Sequence, residues 1–458
     1  MRPSRWRRST HVVVGVAVLL LVAGLVAVAA VATGGHSSEA AVKPAPPAAT
    51  AQPGIVPVAD SAPKPTPDRL AATLAPVLAD PNLGNLTGRI TDAMTGAQLW
   101  AQGADIPMQP ASTNKMLTAA AALLALERDA RVTTRVLTGT RPGVVVLVGG
   151  GDPTLSAAPE GQDTWYRNAA RISDLAEQVE SSGNDVTAVQ VDISAYSGPT
   201  MAPGWDPADI GGGDIAPMEA VMLDGGRTQP VSVESRRSTT PALDAGRALA
   251  VALKVDPATV TVLPTKLRGG TEIASVQSPP LMERLRDMMN ASDNVMAESI
   301  GREVAAAANR PQSFAGAVDA VLDELDAAKV DTGGARLLDS SGLSVDDRLT
   351  AETLDEVVNA AAGSAQPELR PLVDLLPIAG GSGTLSNRYL DTDAGRAAAG
   401  FLRAKTGSLT GTNSLAGIVT DASGRVLTFA LISNNAGPTG RIAIDNLAAT
   451  LRSCGCST

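Results

Sequence analysis

Apolar and polar positions change their period several times along this chain, and the changes divide it into stretches of different character. An uncharged apolar run covers residues 12–32, behind the basic Arg2, Arg5, Arg7 and Arg8. Its length suits a membrane-spanning anchor. The small residues Ala27-Val28-Ala29 and Ala30-Val31-Ala32 equally suit a cleaved signal peptide, so residues 1–32 are expected to be one or the other. In both cases the basic flank stays inside and the remainder of the chain is exported. Residues 33–67 are rich in Pro, Ala, Ser and Thr. They lack the apolar surface to order themselves and are expected to form an extended linker.

From residue 68 the pattern becomes that of a folded body. Residues 69–78 carry apolar positions at helical spacing, and 87–101 alternate around Thr95-Gly96 as a hairpin. A helix is predicted from Ser112 to about Leu126, because Met116, Ala120, Leu123 and Leu124 fall on one face. The segment 135–278 differs. It holds short strand-like runs such as 143–148, glycine turns and few long periodic stretches, and is expected to be an inserted, mainly β domain. Helical periodicity returns at 281–289, 295–308, 313–329 and 351–362. Residues 414–420 and 425–433 flank the turn Asp421-Ala422-Ser423-Gly424 as a second hairpin, and 441–452 close with a helix. The expected class is α+β, with residues 68–134 and 279–453 forming one domain around the insertion.

Composition narrows the chemistry. The net charge is -10, so nucleic-acid phosphates would be repelled and nucleic-acid binding is not expected. The two histidines, His11 and His36, both precede the folded body. A Ser-His-Asp triad or a histidine metal site is thereby excluded there. The two cysteines, Cys454 and Cys456, are spaced for neither a zinc site nor a Cys-x-x-Cys redox motif. A strained local disulfide, a link to another chain, or no bond all remain open for them. Hydrolytic chemistry must then rest on Ser, Thr, Lys, Asp, Glu or Tyr.

Three short motifs supply such groups. Ser112-Thr113-Asn114-Lys115 is Ser-x-x-Lys, Ser292-Asp293-Asn294 is Ser-x-Asn, and Lys405-Thr406-Gly407 is Lys-Thr-Gly. Alone, each has a plain reading as a helix cap, a solvated charge or a strand end. Together and in this order they form the set shared by penicillin-binding proteins and class A β-lactamases. The spacing makes chemical sense. At i and i+3 on a helix, Lys115 and Ser112 share a face, and a lysine amine can take the serine proton if burial and the charge of Lys405 lower its pKa. Lys405 and Thr406 are placed to bind a terminal carboxylate, and Gly407 to let a peptide backbone approach a strand edge. The N–H groups of Ser112 and Ser408 are candidates for an oxyanion hole. Ser292 and Asn294, on a loop between two helices, are placed to relay a proton to the leaving amine and to hold a substrate amide. Lys405-Thr406-Gly407 is expected to end a strand.

The surroundings of these motifs add a family resemblance. Residues 110–115, Gly149-Gly150-Gly151-Asp152-Pro153-Thr154-Leu155, residues 196–205, Asp339-Ser340-Ser341-Gly342-Leu343-Ser344 and residues 376–385 resemble the D-Ala-D-Ala carboxypeptidase/endopeptidase family. These are the class C low-molecular-mass penicillin-binding proteins of peptidase family S13. The resemblance spans about residues 68–452. It implies a transpeptidase-like domain, an antiparallel sheet flanked by helices with a helical part beside it. It also implies Ser112 as the acylated nucleophile, Lys115 as its base, and Ser292, Asn294, Lys405, Thr406 and Gly407 completing the site. The substrates implied are peptidoglycan peptides ending in D-Ala-D-Ala, cut by carboxypeptidase and also D,D-endopeptidase action, with β-lactams as covalent inhibitors. No cofactor or metal is required. The path from Ser112 to Ser292 is short for the family, which implies a reduced insertion. A β-lactamase would have a much shorter path still, and an idle wall-binding relative would not need Ser112, Lys115 and Lys405 intact.

Overall fold

The computed structural model describes residues 61–454, which belong to one compact unit. The segment 12–32 and most of the linker lie outside the described residues. Helix α1 (Pro67–Leu78) opens on a proline, whose missing N–H is harmless in a first turn, and buries Leu70 and Leu74. Strands β1 (Asn85–Asp92) and β2 (Gln98–Gln102) form the expected hairpin, closed by Asp92 accepting from the N–H groups of Met94 and Thr95. A 3₁₀ turn over Ala111–Asn114 then leads into α2 (Lys115–Ala125).

The chain next builds a separate sheet from β3 (Thr133–Thr138), β4 (Val144–Val148), β5 (Ala188–Asp192), β6 (Thr261–Val262) and β7 (Glu272–Gln277). Its order is β6-β5-β4-β3-β7. β4, β5 and β6 run parallel, while β3 pairs antiparallel with β4 and β7. Parallel neighbours need a crossover. That is why this segment holds crossover helices beyond the mainly β expectation, α3 (Ile172–Ser181) and α4 (Pro241–Ala252). Ile172, Leu175, Ala176 and Val179 give α3 its apolar stripe, which joins Val145, Leu147, Val189 and Val191 in one core.

Helices α5 (Leu281–Ala291), α6 (Asn294–Ala307), α7 (Phe314–Ala327) and α8 (Ala351–Ala362) come next, close to their expected bounds. The chain ends with β8 (Leu402–Leu409), β9 (Thr412–Thr420), β10 (Val426–Asn434) and α9 (Gly440–Ser453). Cys454, just after α9, is buried and disulfide-bonded.

The first sheet has order β2-β1-β10-β9-β8 and is antiparallel throughout. It is layered between helices. Leu427, Phe429 and Leu431 of β10 face a core shared with α1 and α9, whereas Ala430 and Ile432 face one shared with α2, α5, α6 and α8. Alternate residues of one strand thus enter two different cores, so β10 is apolar nearly throughout. β8 is the edge strand. Residues 377–379 cover its 402–404 half through backbone bonds, and among the described residues no strand pairs beyond that on the outer side.

Candidate active site

The turn before α2 carries the first motif. In a 3₁₀ turn residues i and i+3 eclipse, which stacks Lys115 over Ser112 more closely than the α-helix expected from Ser112 would. The turn is bolted to β9 from below. Thr113 Oγ1 and Ser414 Oγ both donate to the carbonyl of Pro110, at 2.7 and 2.5 Å. Ala111 precedes the serine with φ +49° and is fully buried. That left-handed conformation costs a non-glycine residue about 1–2 kcal/mol, held here by the surrounding bonds. Opposite, Gly342 has φ +78°, and a Cβ there would come within 1.9 Å of the Ala111 carbonyl oxygen. Only glycine fits.

Lys115 is buried, and its Nζ lies 2.9 Å from Ser112 Oγ, 2.6 Å from Asn294 Oδ1 and 2.7 Å from the Ser341 carbonyl oxygen. The last two groups can only accept. A neutral amine therefore spends its two N–H groups on them, and its lone pair is left facing the serine hydroxyl. Burial pulls the Lys115 pKa down to about 8, opposed by the negative charges of Asp339, Asp293 and Glu298. The expectation that Lys405 would lower it is replaced by this balance, in which desolvation does the lowering and the surrounding carboxylates resist it.

Asn294 is the first residue of α6, whose N-cap Asp293 accepts from the N–H of Met296. Ser292 caps α5 in the left-handed region, φ +56°. Asn294 Nδ2 also donates to the Asp214 carbonyl at 3.0 Å. Lys405 lies mid-strand in β8, not at its end, because β8 continues to Leu409 to pair with β9. Its buried Nζ donates to Ser292 Oγ and to the Thr406 carbonyl, both at 2.8 Å. Burial, then the positive charges of Lys115 and Arg388, push its pKa well below the usual lysine range. Thr406 Oγ1 donates to Thr384 Oγ1 at 2.8 Å. At Gly407 a Cβ would stand 2.1 Å from Ser414 Oγ and 3.0 Å from the Ser112 nitrogen, so the strand and the turn bearing Ser112 can meet only at glycine.

All three motifs thus converge. Ser112, Ser292, Asn294, Thr406 and Ser408 line one cleft of about 620 Å³, with the two lysines just beneath. Sequence reasoning missed Asp209, Asp214, Gly342 and Thr384 on its walls, and the Ser341 carbonyl behind Lys115. Gly342, Ser341 and Thr384 lie inside strings that carry the family resemblance, so a signal for them was present.

The profile of the D-Ala-D-Ala carboxypeptidase 3 (S13) family matches residues 70–235 and 228–451. The chain belongs to this family. An S13 assignment also agrees with the relatives. The chain is 75% identical over 458 residues to "Carboxypeptidase DacB" of Mycolicibacterium smegmatis, covering 100% of both. It is 64% identical over 462 residues to "Carboxypeptidase Rv3627c" of Mycobacterium tuberculosis, again covering 100% of both. It is 30% identical to the "D-alanyl-D-alanine carboxypeptidase" of Actinomadura sp., covering 82% of this chain and 83% of that one. Residues 1–57 match a Carboxypeptidase Rv3627c-like N-terminal domain. The S13 fold itself is seen in the crystal structure of penicillin binding protein 4 (dacB) from Haemophilus influenzae. That structure superposes with TM-score 0.67 at 24% identity, covering 84% of this chain and 98% of the other.

Proposed function

We propose that this D-Ala-D-Ala carboxypeptidase works through an acyl-enzyme on Ser112, with Lys115 as the base that activates it. The observation that carries this reading is the Lys115 amine, 2.9 Å from Ser112 Oγ, with its other two partners both acceptors. Neutral Lys115 takes the hydroxyl proton as Ser112 Oγ bonds to the carbonyl carbon between the two terminal D-alanines. The N–H groups of Ser112 and Ser408 hold the oxyanion. The C–N bond then breaks, and the leaving amine of D-Ala takes a proton delivered through Ser292, whose Oγ is bonded to Lys405. In the second half water attacks the ester, its released proton replaces the one lost through Ser292 and Lys405, and Lys115 returns its proton to Ser112 Oγ as the shortened peptide leaves. Thr406, with Thr384 beside it and the charge of Lys405 behind, anchors the terminal carboxylate. A β-lactam undergoes the first half and stays attached.

D,D-endopeptidase cleavage is supported by a second hollow of about 500 Å³ that shares Ser292, Asn294 and Thr384 with the first. It gives room for a leaving group larger than D-alanine. The segment 135–278 is an inserted domain in this reading, and residues 12–32 place the enzyme outside the cytoplasm as an anchor or a cleaved signal. Among the described residues no helix is long and apolar enough to cross a membrane.

The test is release of D-Ala from a peptide ending in D-Ala-D-Ala, alongside labelling by fluorescent penicillin, for wild type and Ser112→Ala. Wild type is expected to do both and the variant neither. Fast penicillin turnover with the peptide left intact would make the protein a β-lactamase, and no retained label would make it an idle relative.

A further inference from the structure

The loop behind Lys115 is built with more hydrogen bonds than a connector needs. Its three consecutive carbonyls all accept from the nucleophile's helix. Asn114 Nδ2 donates to the carbonyl of Asp339 at 3.1 Å, Thr118 Oγ1 to that of Ser340 at 2.6 Å, and Lys115 Nζ to that of Ser341 at 2.7 Å. Its N–H groups point the other way, into buried acids. The carboxylate of Asp339 accepts from the N–H groups of Ser341, Gly342 and Ser344, at 3.0, 2.6 and 2.7 Å. Glu298 accepts from that of Ser340 at 2.9 Å. A single wholly buried carboxylate therefore fixes the direction of the Ser341 carbonyl, which occupies one N–H of the lysine and so directs its lone pair.

Asp339 is in turn held from the insertion. Trp205 Nε1 donates to Asp339 Oδ2 at 2.7 Å. The Trp205 ring packs edge-on against Phe314 of α7, within a small core that also includes Val295 of α6 and Leu343 of the loop. Ser344 Oγ donates to the carbonyl of Pro203 at 2.7 Å, and a Cβ at Gly204 would stand 2.4 Å from that hydroxyl. The insertion and the loop are thus tied at two adjacent points.

We propose that Asp339 is a positioning residue for the pair Ser112 and Lys115, aiming the Ser341 carbonyl at the lysine amine, and that Trp205 of the inserted segment holds Asp339 in that role. The proposal rests on Lys115 acting as the base for Ser112. It gives the insertion a part in acylation although none of the three motifs comes from it.

The charges around Lys115 make the idea testable. Lys115 is faced by Asp293 and Glu298 of α6, by Asp339 and Asp347 of the loop, and by Lys405 of β8. Asp347 is pushed up to about 10 by burial and by Asp339, so it carries its own proton at neutral pH. Glu298 is pushed up to about 7 by burial and by Asp339, with Arg302 paired to it at 3.2 Å. Asp339 heads the charges that hold the Lys115 pKa up. Removing that charge lets the lysine lose its proton at a lower pH.

The experiment is the rate of acylation by a chromogenic β-lactam, measured across the neutral and alkaline range for wild type, Asp339→Asn, Asp347→Asn and Trp205→Phe. Asp339→Asn orphans backbone N–H groups and misdirects the carbonyl. It is expected to slow acylation about tenfold or more and to move the rising limb of the pH profile to lower pH. Asp347→Asn replaces a protonated acid by its neutral isostere and is expected to lose less. Trp205→Phe keeps an aromatic ring and removes the donor. It carries the test if Asp339→Asn fails to fold, with slower acylation expected at a circular dichroism spectrum like that of wild type. A slower Asp339→Asn whose limb does not move would reduce Asp339 to a structural role, and wild-type acylation in Asp339→Asn or Trp205→Phe would overturn the proposal outright. Ser112→Ala in the same assay separates the two levels. If it still acylates, the assignment of the nucleophile fails. If it is inert while Asp339→Asn behaves as wild type, only the positioning role fails.

Discussion

The two sheets each have five strands and end differently. The first is antiparallel, covered by helices on both faces, and stops at β8, whose outer side is covered over residues 402–404 only. The second mixes parallel and antiparallel pairs and stops at β6, a strand of two residues. A long unpaired edge is a liability in a soluble protein, and a very short edge strand is one way to remove it. The first sheet keeps its edge beside Ser112, where an extended peptide can add to it. The second sheet supplies packing, and the connections after β5 bring Asp209 and Asp214 to the cleft wall and Trp205 to Asp339. The contrast teaches that strand count says little about function. What matters is an edge left free next to a helix start, with basic side chains buried beneath both.

The strongest way to break this contrast is Lys115→Ala. The second-order rate of penicillin acylation is expected to fall about 10²- to 10⁴-fold, the usual worth of a general base, with the fold retained. A drop of that size from any residue of the second sheet's core would erase the distinction. Gly407→Ala comes next. The added carbon has Ser414 Oγ at 2.1 Å and the Pro110 carbonyl oxygen at 2.7 Å. Edge and the turn bearing Ser112 must separate, and acylation is expected to fall about tenfold or more.

The pH profile sharpens the comparison further. Lys115 accepts a proton only when neutral, so acylation is expected to rise with pH and level off above about 8. The sign for stability is the same. The folded pKa is depressed, so the unfolded chain binds more protons between about 8 and the ordinary 10.5, and stability attributable to this group rises with pH across that window. Urea unfolding of wild type and Lys115→Ala at several alkaline pH values measures it. The smallest effect on the chemistry is expected from Leu147→Ala in β4. Leu147 is fully buried in the second core. Its loss is expected to cost about 2–5 kcal/mol of stability and to leave the acylation rate per folded molecule unchanged.

Much of this is legible in the sequence, for reasons that particular residues show. Ser112 and Lys115 stand at a helical spacing that brings their polar ends together, and Lys405-Thr406-Gly407 stands before a strong β hairpin. Such side-chain chemistry announces itself. The Ser341 carbonyl does not, because every residue has a carbonyl and only the fold says which one meets the lysine. The 3₁₀ start of the helix is hidden likewise, since Pro110 and Ala111 give no periodic signal and the turn is fixed by Ser414 and Gly342 from elsewhere. Helices α3 and α4 hide among glycine-rich loops, their stripes being short and made partly of alanine. The balance on Lys115 escapes a linear reading because Asp339 and Glu298 are distant in sequence and meet it only in the folded chain.

The most direct test of the acyl-enzyme is to treat the protein with penicillin, digest it and locate the added mass. One adduct is expected, on the peptide bearing Ser112, and none in Ser112→Ala. An adduct on any other residue, or release of D-Ala by the Ser112→Ala enzyme, would contradict an acyl-enzyme on Ser112.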